Sequence, residues 1–434
     1  MSSRGRAQLV VVGNGMAGMR AVEELIARAP DRFAITVVGA EPHPNYNRIL
    51  LSAVLAGDKT VEEIVVNPHA WYADHGIRLI AGMRATAIDR ATRRVALADG
   101  TALSYDKLLL ATGSKPLAPP IPGLGLSNVL AFRDIADAEA MIAAAQRGGR
   151  AVVIGGGLLG LEAAWGLKRR GMSVALVHLM PTLMERQLDV AAGELLRRDL
   201  ERRGIAFFTN SQTEEIDGSD RAEAVVLADG RRIPADFVVL AVGIRPNIDL
   251  ARAAGLDVNR GILVGDDMAT SEPDIYAVGE CIEHNGQVFG LVVPIWDQAK
   301  VAGARLAGDD AAIYLPPPVF TSLKITGVDV FSAGRLAAAD AADEEITLYD
   351  EKRGLYKKVI LREDRVVGSV LYGSVADGPW HVELMRTRAD VSAMRDQTVF
   401  GRAFAEQATA APPANAPPTA TSDAGAPGAL WQAA

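Results

Sequence analysis

The sequence predicts an α/β protein with two parallel-sheet units and a smaller α+β domain. Three observations predict it. An apolar strand runs into a glycine-spaced turn and a helix near the N-terminus; the same arrangement returns about 140 residues later; and a block of period-two strands follows towards the C-terminus. At 434 residues two or three domains are expected, and with 49% apolar residues each has material for a core.

The first unit opens with Leu9–Val12, an apolar run of the kind buried on both faces of a parallel sheet. Gly13, Gly15 and Gly18 follow at G-x-G-x-x-G spacing, with Met16 and Ala17 inside the motif. Met19, Val22, Leu25, Ile26 and Ala29 then recur at helical spacing. In such a strand–turn–helix the first glycine permits the turn, the second lets a pyrophosphate approach the backbone, and the third lets helix pack on strand. Free N–H groups and the helix dipole face the phosphates. Alone, the motif also fits a tight corner with no ligand; the second copy argues for a dinucleotide.

Ala34–Val38 reads as the second strand of a Rossmann unit, whose end normally carries an acid for the ribose hydroxyls. Glu41 is the candidate, one position late. Arg48, in a turn-rich loop, is a candidate partner for a pyrophosphate, and Ser52 a candidate donor to it. Val95–Ala98 and Thr101–Leu103 flank Asp99-Gly100 as a hairpin. The strand Lys107–Leu110 ends in Ala111-Thr112-Gly113-Ser114, small residues that admit a ligand or another backbone. The proline cluster Pro116–Pro122 is a domain crossover.

The second unit repeats the first. Ala151–Ile154 enters Gly155, Gly156, Gly157 and Gly160, and the helix begins with Leu158 and Leu159. Ser173–Val177 is its second strand, and His178 stands where the ribose acid is expected. No arginine lies directly beside His178, so the choice between NADH and NADPH stays open. Phe237–Leu240 returns the chain through Ala241–Pro246, which includes Gly243. Ile275–Val278 is a short strand followed by Gly279-Glu280, a carboxylate suited to a ribityl hydroxyl.

These readings partition the chain into residues 1–120 with 241–315, residues 121–240, and a third region at 316–405 after Pro316–Pro318. The third region carries the strands Ile346–Tyr349, Tyr356–Leu361 and Val366–Tyr372, with a turn at Glu363-Asp364. From Glu406 to residue 434 the chain is rich in Ala, Pro, Thr and Ser and is expected to be disordered. Trp431 near its end is incidental or a docking anchor.

Composition removes several classes of function. The net charge of −8 with no long basic run argues against nucleic acid. No apolar run reaches the length of a membrane span, and the N-terminal run enters the glycine turn directly, so it is a strand and no signal peptide; a cytoplasmic protein is expected. Cys281 is the only cysteine, which excludes a dithiol pair or a four-cysteine cluster within these residues. The six histidines lack metal-ligand spacing; His69 and His75 are the nearest pair.

Two glycine motifs, Ala111–Ser114 between them and Tyr276–Cys281 after them resemble the FAD-dependent pyridine nucleotide-disulfide oxidoreductase superfamily. Asn45–Gly57, Gly155–Gly171, His178–Asp189 and Phe320–Gly334 resemble, within it, the NADH-binding flavoprotein part of the assimilatory nitrite reductase large subunit. The resemblance implies a glutathione reductase-like fold with FAD on the first unit, near Gly13, Gly15, Gly18, Thr112, Gly113, Arg133 and Gly279, and NAD(P)H on the second, near Gly155, Gly157, Gly160, His178 and Gly243. It sets Arg48 at the pyrophosphate, Glu280 where many relatives carry Asp, Glu162 facing the nicotinamide, and Trp296 and Gln298 near the flavin. Two departures matter: the iron–sulfur and sirohaem regions of the nitrite reductase subunit need several cysteines, and the redox cysteine of other relatives is missing. The expected activity is therefore electron transfer from NAD(P)H through FAD to a separate redox protein, in nitrate or nitrite assimilation. A ferredoxin or rubredoxin reductase, an NADH oxidase and a non-catalytic flavin-bound sensor or scaffold are the alternatives; the oligomeric state is open.

Overall fold

The structure is a computed structural model that describes residues 6–316, 320–325 and 327–410. Two five-stranded parallel sheets are its frame. The first has the strand order Ile275–Ala277, Lys107–Leu110, Ala7–Val12, Phe33–Val38, Arg78–Ile80. The second repeats it as Val129–Ala131, Phe237–Leu240, Arg150–Ile154, Ser173–Val177, Ile205–Phe208. Each carries a three-stranded antiparallel sheet inserted between its edge strand and its return strand: Ala85–Asp89, Arg94–Leu97 and Ala102–Ser104 before Lys107–Leu110 in one unit, Thr213–Gly218, Ala222–Leu227 and Arg232–Pro234 before Phe237–Leu240 in the other. The duplication seen at the glycine motifs thus extends through both units.

Local sequence explains the elements. The opening helix Met16–Arg28 buries Met19, Ala21, Val22 and Leu25 on one stripe and ends at Ala29, before Pro30, which cannot continue it. The second unit's helix Leu158–Arg169 buries Leu161, Ala163, Ala164 and Leu167. The units are tied together twice. Ser114–Pro116 pairs antiparallel with Ile244–Pro246, so the outgoing and returning crossovers zip to each other. The short helix Leu51–Ala56 belongs to the first unit, yet Leu51, Val54 and Leu55 sit in the second unit's core. Arg169 donates to both Asp58 carboxylate oxygens at 2.6 Å, and Arg170 Nη2 donates to the Val54 carbonyl at 3.0 Å. These contacts tie the end of the second unit's helix Leu158–Arg169 to the first unit's short helix.

The third region is a five-stranded antiparallel sheet, ordered Phe320–Ile325, Val328–Gly334, Arg365–Tyr372, Leu355–Arg362, Asp343–Asp350, with the helix Gly378–Thr387 packed against it. Glu363 and Asp364 both take positive φ (50° and 52°) in the two-residue hairpin turn. Buried Lys358 (Nζ to Asp189 Oδ2, 2.6 Å) and the Tyr356 hydroxyl (2.5 Å to the same oxygen) join this sheet to the second unit. Arg402–Ala410 is helical, across Glu406 where the disordered tail is expected to begin. Residues 411–434, with Trp431, lie outside the described residues, as do Pro317, Pro318 and Val319.

Candidate functional site: a glycine turn and a second helix start on one cavity

The two glycine turns have the same backbone geometry. Gly13 and Gly155 have φ of +119° and +121°, a region side chains avoid, and a Cβ on either would meet the carbonyl oxygen of Ala111 or Ala241 at 2.0 and 2.2 Å. Each donates its N–H to the end of the neighbouring strand, to Val38 and Val177 respectively, at 2.8 Å. Gly18 and Gly160 let the helices close on the turns, since a Cβ there would meet the carbonyl oxygens of Gly13 and Gly155. Gly15 and Gly157 differ in kind: their added Cβ would meet nothing within 4 Å. They are also the N-caps of their helices, and neither has a side-chain cap. Asp134 and Asp189, by contrast, cap their helices with their carboxylates. The first N–H groups of the two glycine-turn helices are therefore left for a ligand.

One cavity of about 650 Å³ is lined by Gly13–Ala17, Gly39–Glu41, Thr112–Pro116, Gly279 and Glu280 from the first unit, and by Leu158, Leu159 and Glu162 from the second. Glu41 lies on its wall. Its carboxylate accepts from the Tyr46 hydroxyl at 2.6 Å and pairs with Arg48, whose guanidinium also donates to the Arg133 carbonyl at 2.5 Å and lies over the Tyr46 ring. Burial pushes the Tyr46 phenol up, so it stays a hydrogen donor. Arg133 pairs with Glu280, and Ser114 Oγ donates to the same carboxylate oxygen at 2.8 Å. Thr112 donates to the Asn247 carbonyl at 2.7 Å and Gly113 accepts from Asn247 N–H, fixing the crossover beside the cavity.

Three candidates stand differently from expectation. Trp296 is 43% exposed and does not line the cavity; Val292 and Ile295, on the inner face of the same helix, do. Gln298 is fully buried and accepts from the Gly279 N–H at 3.0 Å, so it holds the turn from behind. Ser52 is beside Glu162, at the second unit's end of the cavity, and is hydrogen-bonded to its carboxyl. Burial pushes the Glu162 carboxyl up to about 7, with the Ser52 hydroxyl pulling the other way.

His178 also departs from its expected role. Its ring is 8% exposed and lies directly under Gly156, where a Cβ would meet it at 2.6 Å. Gly156 N–H donates to Nδ1 at 3.0 Å, and Nε2 is 3.1 Å from Glu185 Oε2. The imidazole supports the turn and does not face outward. Gly243, at φ +113°, opens onto free space beside the second turn.

Sequence reading did not single out Asn14, Tyr46, Tyr72 or Glu185. Asn14 Oδ1 accepts from the Tyr72 hydroxyl at 2.7 Å and its carbonyl accepts from Asn45 at 3.0 Å, so the second residue of the first turn is bolted to the following loop. A side chain at a position that is glycine in the second turn was the available signal. Cys281 is fully buried, donates to the Val278 carbonyl at 3.2 Å, and burial raises its thiol.

The residues present fit a dinucleotide: two uncapped helix starts, two turns stripped of Cβ atoms towards open space, and a cavity with carboxylates at Glu41 and Glu280 on its wall. Comparison with known proteins agrees. Residues 7–305 match the family model described as pyridine nucleotide-disulphide oxidoreductase, and residues 318–389 the rubredoxin NAD+ reductase C-terminal domain. The chain is 48% identical over 388 residues to the nitrite reductase [NAD(P)H] of Bacillus subtilis (strain 168), covering 89% of this chain and 48% of that protein. It is 43% identical over 392 residues to the assimilatory nitrate reductase electron transfer subunit of the same organism, covering 90% and 51%. It spans about half the length of these curated relatives. Among solved structures, the covalent putidaredoxin reductase–putidaredoxin complex superposes with a TM-score of 0.82 at 27% identity, covering 94% of this chain and 100% of that one. The chain belongs to the pyridine nucleotide-disulphide oxidoreductase family.

Proposed function

We propose that the chain is an FAD-dependent NAD(P)H oxidoreductase that passes electrons to a separate redox protein. The observation that carries this reading is the single cavity shared by the first glycine turn and the start of the second unit's helix. Gly13–Ala17 would hold the cofactor, and Leu158, Leu159 and Glu162 line the same cavity where a nicotinamide held by the second turn would reach it. Bound there, FAD would supply the redox chemistry, hydride acceptance from the nicotinamide and release of electrons one at a time.

The protein's own share is binding and alignment. Gly13, Gly15, Met16, Ala17 and Gly18 shape the pyrophosphate seat; Arg48 and Arg133 supply positive charge beside it; Glu41, Thr112, Gly113, Gly279 and Glu280 line the rest. Leu158, Leu159 and Glu162 border the nicotinamide position, and Val292 and Ile295 exclude water from the opposite side. No protein acid or base is required for hydride transfer. The residue blocks 1–120 with 241–315, 121–240 and 316–405 serve as the flavin, nucleotide and C-terminal domains.

The acceptor is inferred from the relatives, which are named for nitrite reduction and for electron transfer to nitrate reductase. No described helix is long and apolar enough to cross a membrane; we place the protein in the cytoplasm, acting in nitrate or nitrite assimilation. The test is to purify it, record its visible spectrum and add NADH under argon, then supply a nitrate reductase lacking its own NADH module, a ferredoxin, a rubredoxin or oxygen. Bound flavin that bleaches within seconds and is reoxidised by one protein acceptor supports the reading. A protein that binds no flavin overturns it.

A further inference from the structure

We infer that Glu185, held in place by His178, decides which nicotinamide nucleotide the second turn accepts, and that it selects NADH. This rests on the reading that the second turn binds such a nucleotide. In a two-strand glycine-turn unit the adenosine ribose lies over the end of the second strand, where a carboxylate takes both hydroxyls and repels a 2′-phosphate. The second strand here is Ser173–Val177, in register with Arg150–Ile154, and it ends at His178. His178 is used up below the turn. With Nδ1 accepting from the Gly156 N–H, Nε2 is the nitrogen that carries hydrogen, and it donates to Glu185.

The intervening loop brings that carboxylate back over a sequence distance of seven residues. Met184 takes a left-handed φ of +53°, and its N–H donates to the Gly156 carbonyl at 3.0 Å. Leu183 and Met184 are buried beneath the loop, and Leu188 N–H closes it on the Met184 carbonyl at 2.8 Å. Glu185 is thus one imidazole away from the turn backbone, and its side chain keeps 31% exposure. The position that lacks an acid in sequence has one in space. Two arginines bear on the choice. Ser211 N–H donates to the His178 carbonyl at 2.9 Å and its hydroxyl accepts from Arg231, which is paired with Asp229; Arg186, exposed, follows Glu185 in the chain.

The test is equilibrium titration of the purified flavin-loaded protein with NAD+ and NADP+, for the wild type, Glu185→Gln, His178→Asn and Arg186→Ala. Melting temperature and flavin content report whether each variant is folded. The wild type is expected to bind NAD+ at least about tenfold more tightly than NADP+. Glu185→Gln is expected to weaken NAD+ about tenfold while leaving NADP+ unchanged or tighter. His178→Asn is expected to narrow the same ratio at constant flavin content. An unchanged ratio in a folded Glu185→Gln overturns the assignment alone. So does a wild type that prefers NADP+ and loses that preference in Arg186→Ala. A wild type that binds neither nucleotide overturns the reading of the second turn itself.

Discussion

The first and second glycine turns share one backbone and differ in what surrounds it. Their leading glycines agree within two degrees in φ, and their N–H bonds to the next strand have the same length. The second residue of the turn and the end of the next strand are exchanged. In the first turn Asn14 carries the side chain and packs on Gly39; in the second Gly156 lies bare against the His178 ring. Asn14 is then tied to Tyr72 and Asn45, Glu41 to Tyr46 and Arg48, and Glu280 to Arg133 and Ser114. The second turn opens onto free space at Gly157 and Gly243, with Glu185 at its rim. A ligand kept through every turnover is served by the first arrangement, and one that exchanges is served by the second.

The largest effect on this comparison comes from its shared feature. Gly13→Ala and Gly155→Ala each force a Cβ onto a carbonyl at a φ side chains avoid, and each is expected to cost at least about 3 kcal/mol. Denaturant unfolding checks this. Equal losses keep the turns equivalent as structures, and a large loss at only one breaks the equivalence.

Glu162 gives the next effect, on the second turn's side only. Its folded-state pKa of about 7 lies above the unfolded value, so the fold favours the protonated carboxyl. The contribution of this group to stability is therefore full below about pH 4.5 and is lost as pH rises towards 7, by at most about 3 kcal/mol. Glu162→Gln should flatten this dependence, gaining on the wild type at pH 8 and not at pH 4; parallel curves would contradict it.

Arg133→Ala acts on the first side. It leaves the half-buried Glu280 carboxylate without its guanidinium and is expected to cost about 2 kcal/mol and to lower flavin retention. NAD+ affinity should be unchanged, and a fall in it of the same size would show that the two sides are not separable. Cys281→Ala should be the mildest change, about 1 kcal/mol with turnover within about twofold of wild type. A greater loss of turnover would give the thiol a part in the chemistry.

Much of the fold was legible because the apolar strands, glycine spacings and period-two segments are local signals. The central strands of both parallel sheets and three of the third region's five strands follow from them, whereas the short strands Arg78–Ile80, Val129–Ala131 and Ile205–Phe208 and the strands Phe320–Ile325 and Val328–Gly334 were not read as strands. The antiparallel zipper of Ser114–Pro116 on Ile244–Pro246 was not legible, since it joins residues more than a hundred positions apart. The site was read in part. Glu41, Arg48, Glu162 and Glu280, singled out by motif and resemblance, all line the cavity. Trp296 lies outside the cavity lining while Ile295 lies in it, and the helical phase that separates the two is a weak signal in a helix apolar on several faces. His178 concealed Glu185, because a strand-end rule looks at one position and the loop returns its acid seven residues later. The start of the tail was set by composition, yet Arg402–Ala410 continues as helix; Ala and Glu favour helix as readily as they fill a disordered segment.

The most direct test of the division between the turns is Gly157→Ala, where the added methyl enters the open space in front of the second helix and strains nothing behind it. The variant is to be purified, its flavin counted and NADH added under argon. The account predicts one flavin per chain, wild-type stability and a flavin that NADH no longer bleaches within seconds. A variant that loses its flavin, or bleaches at the wild-type rate, contradicts it.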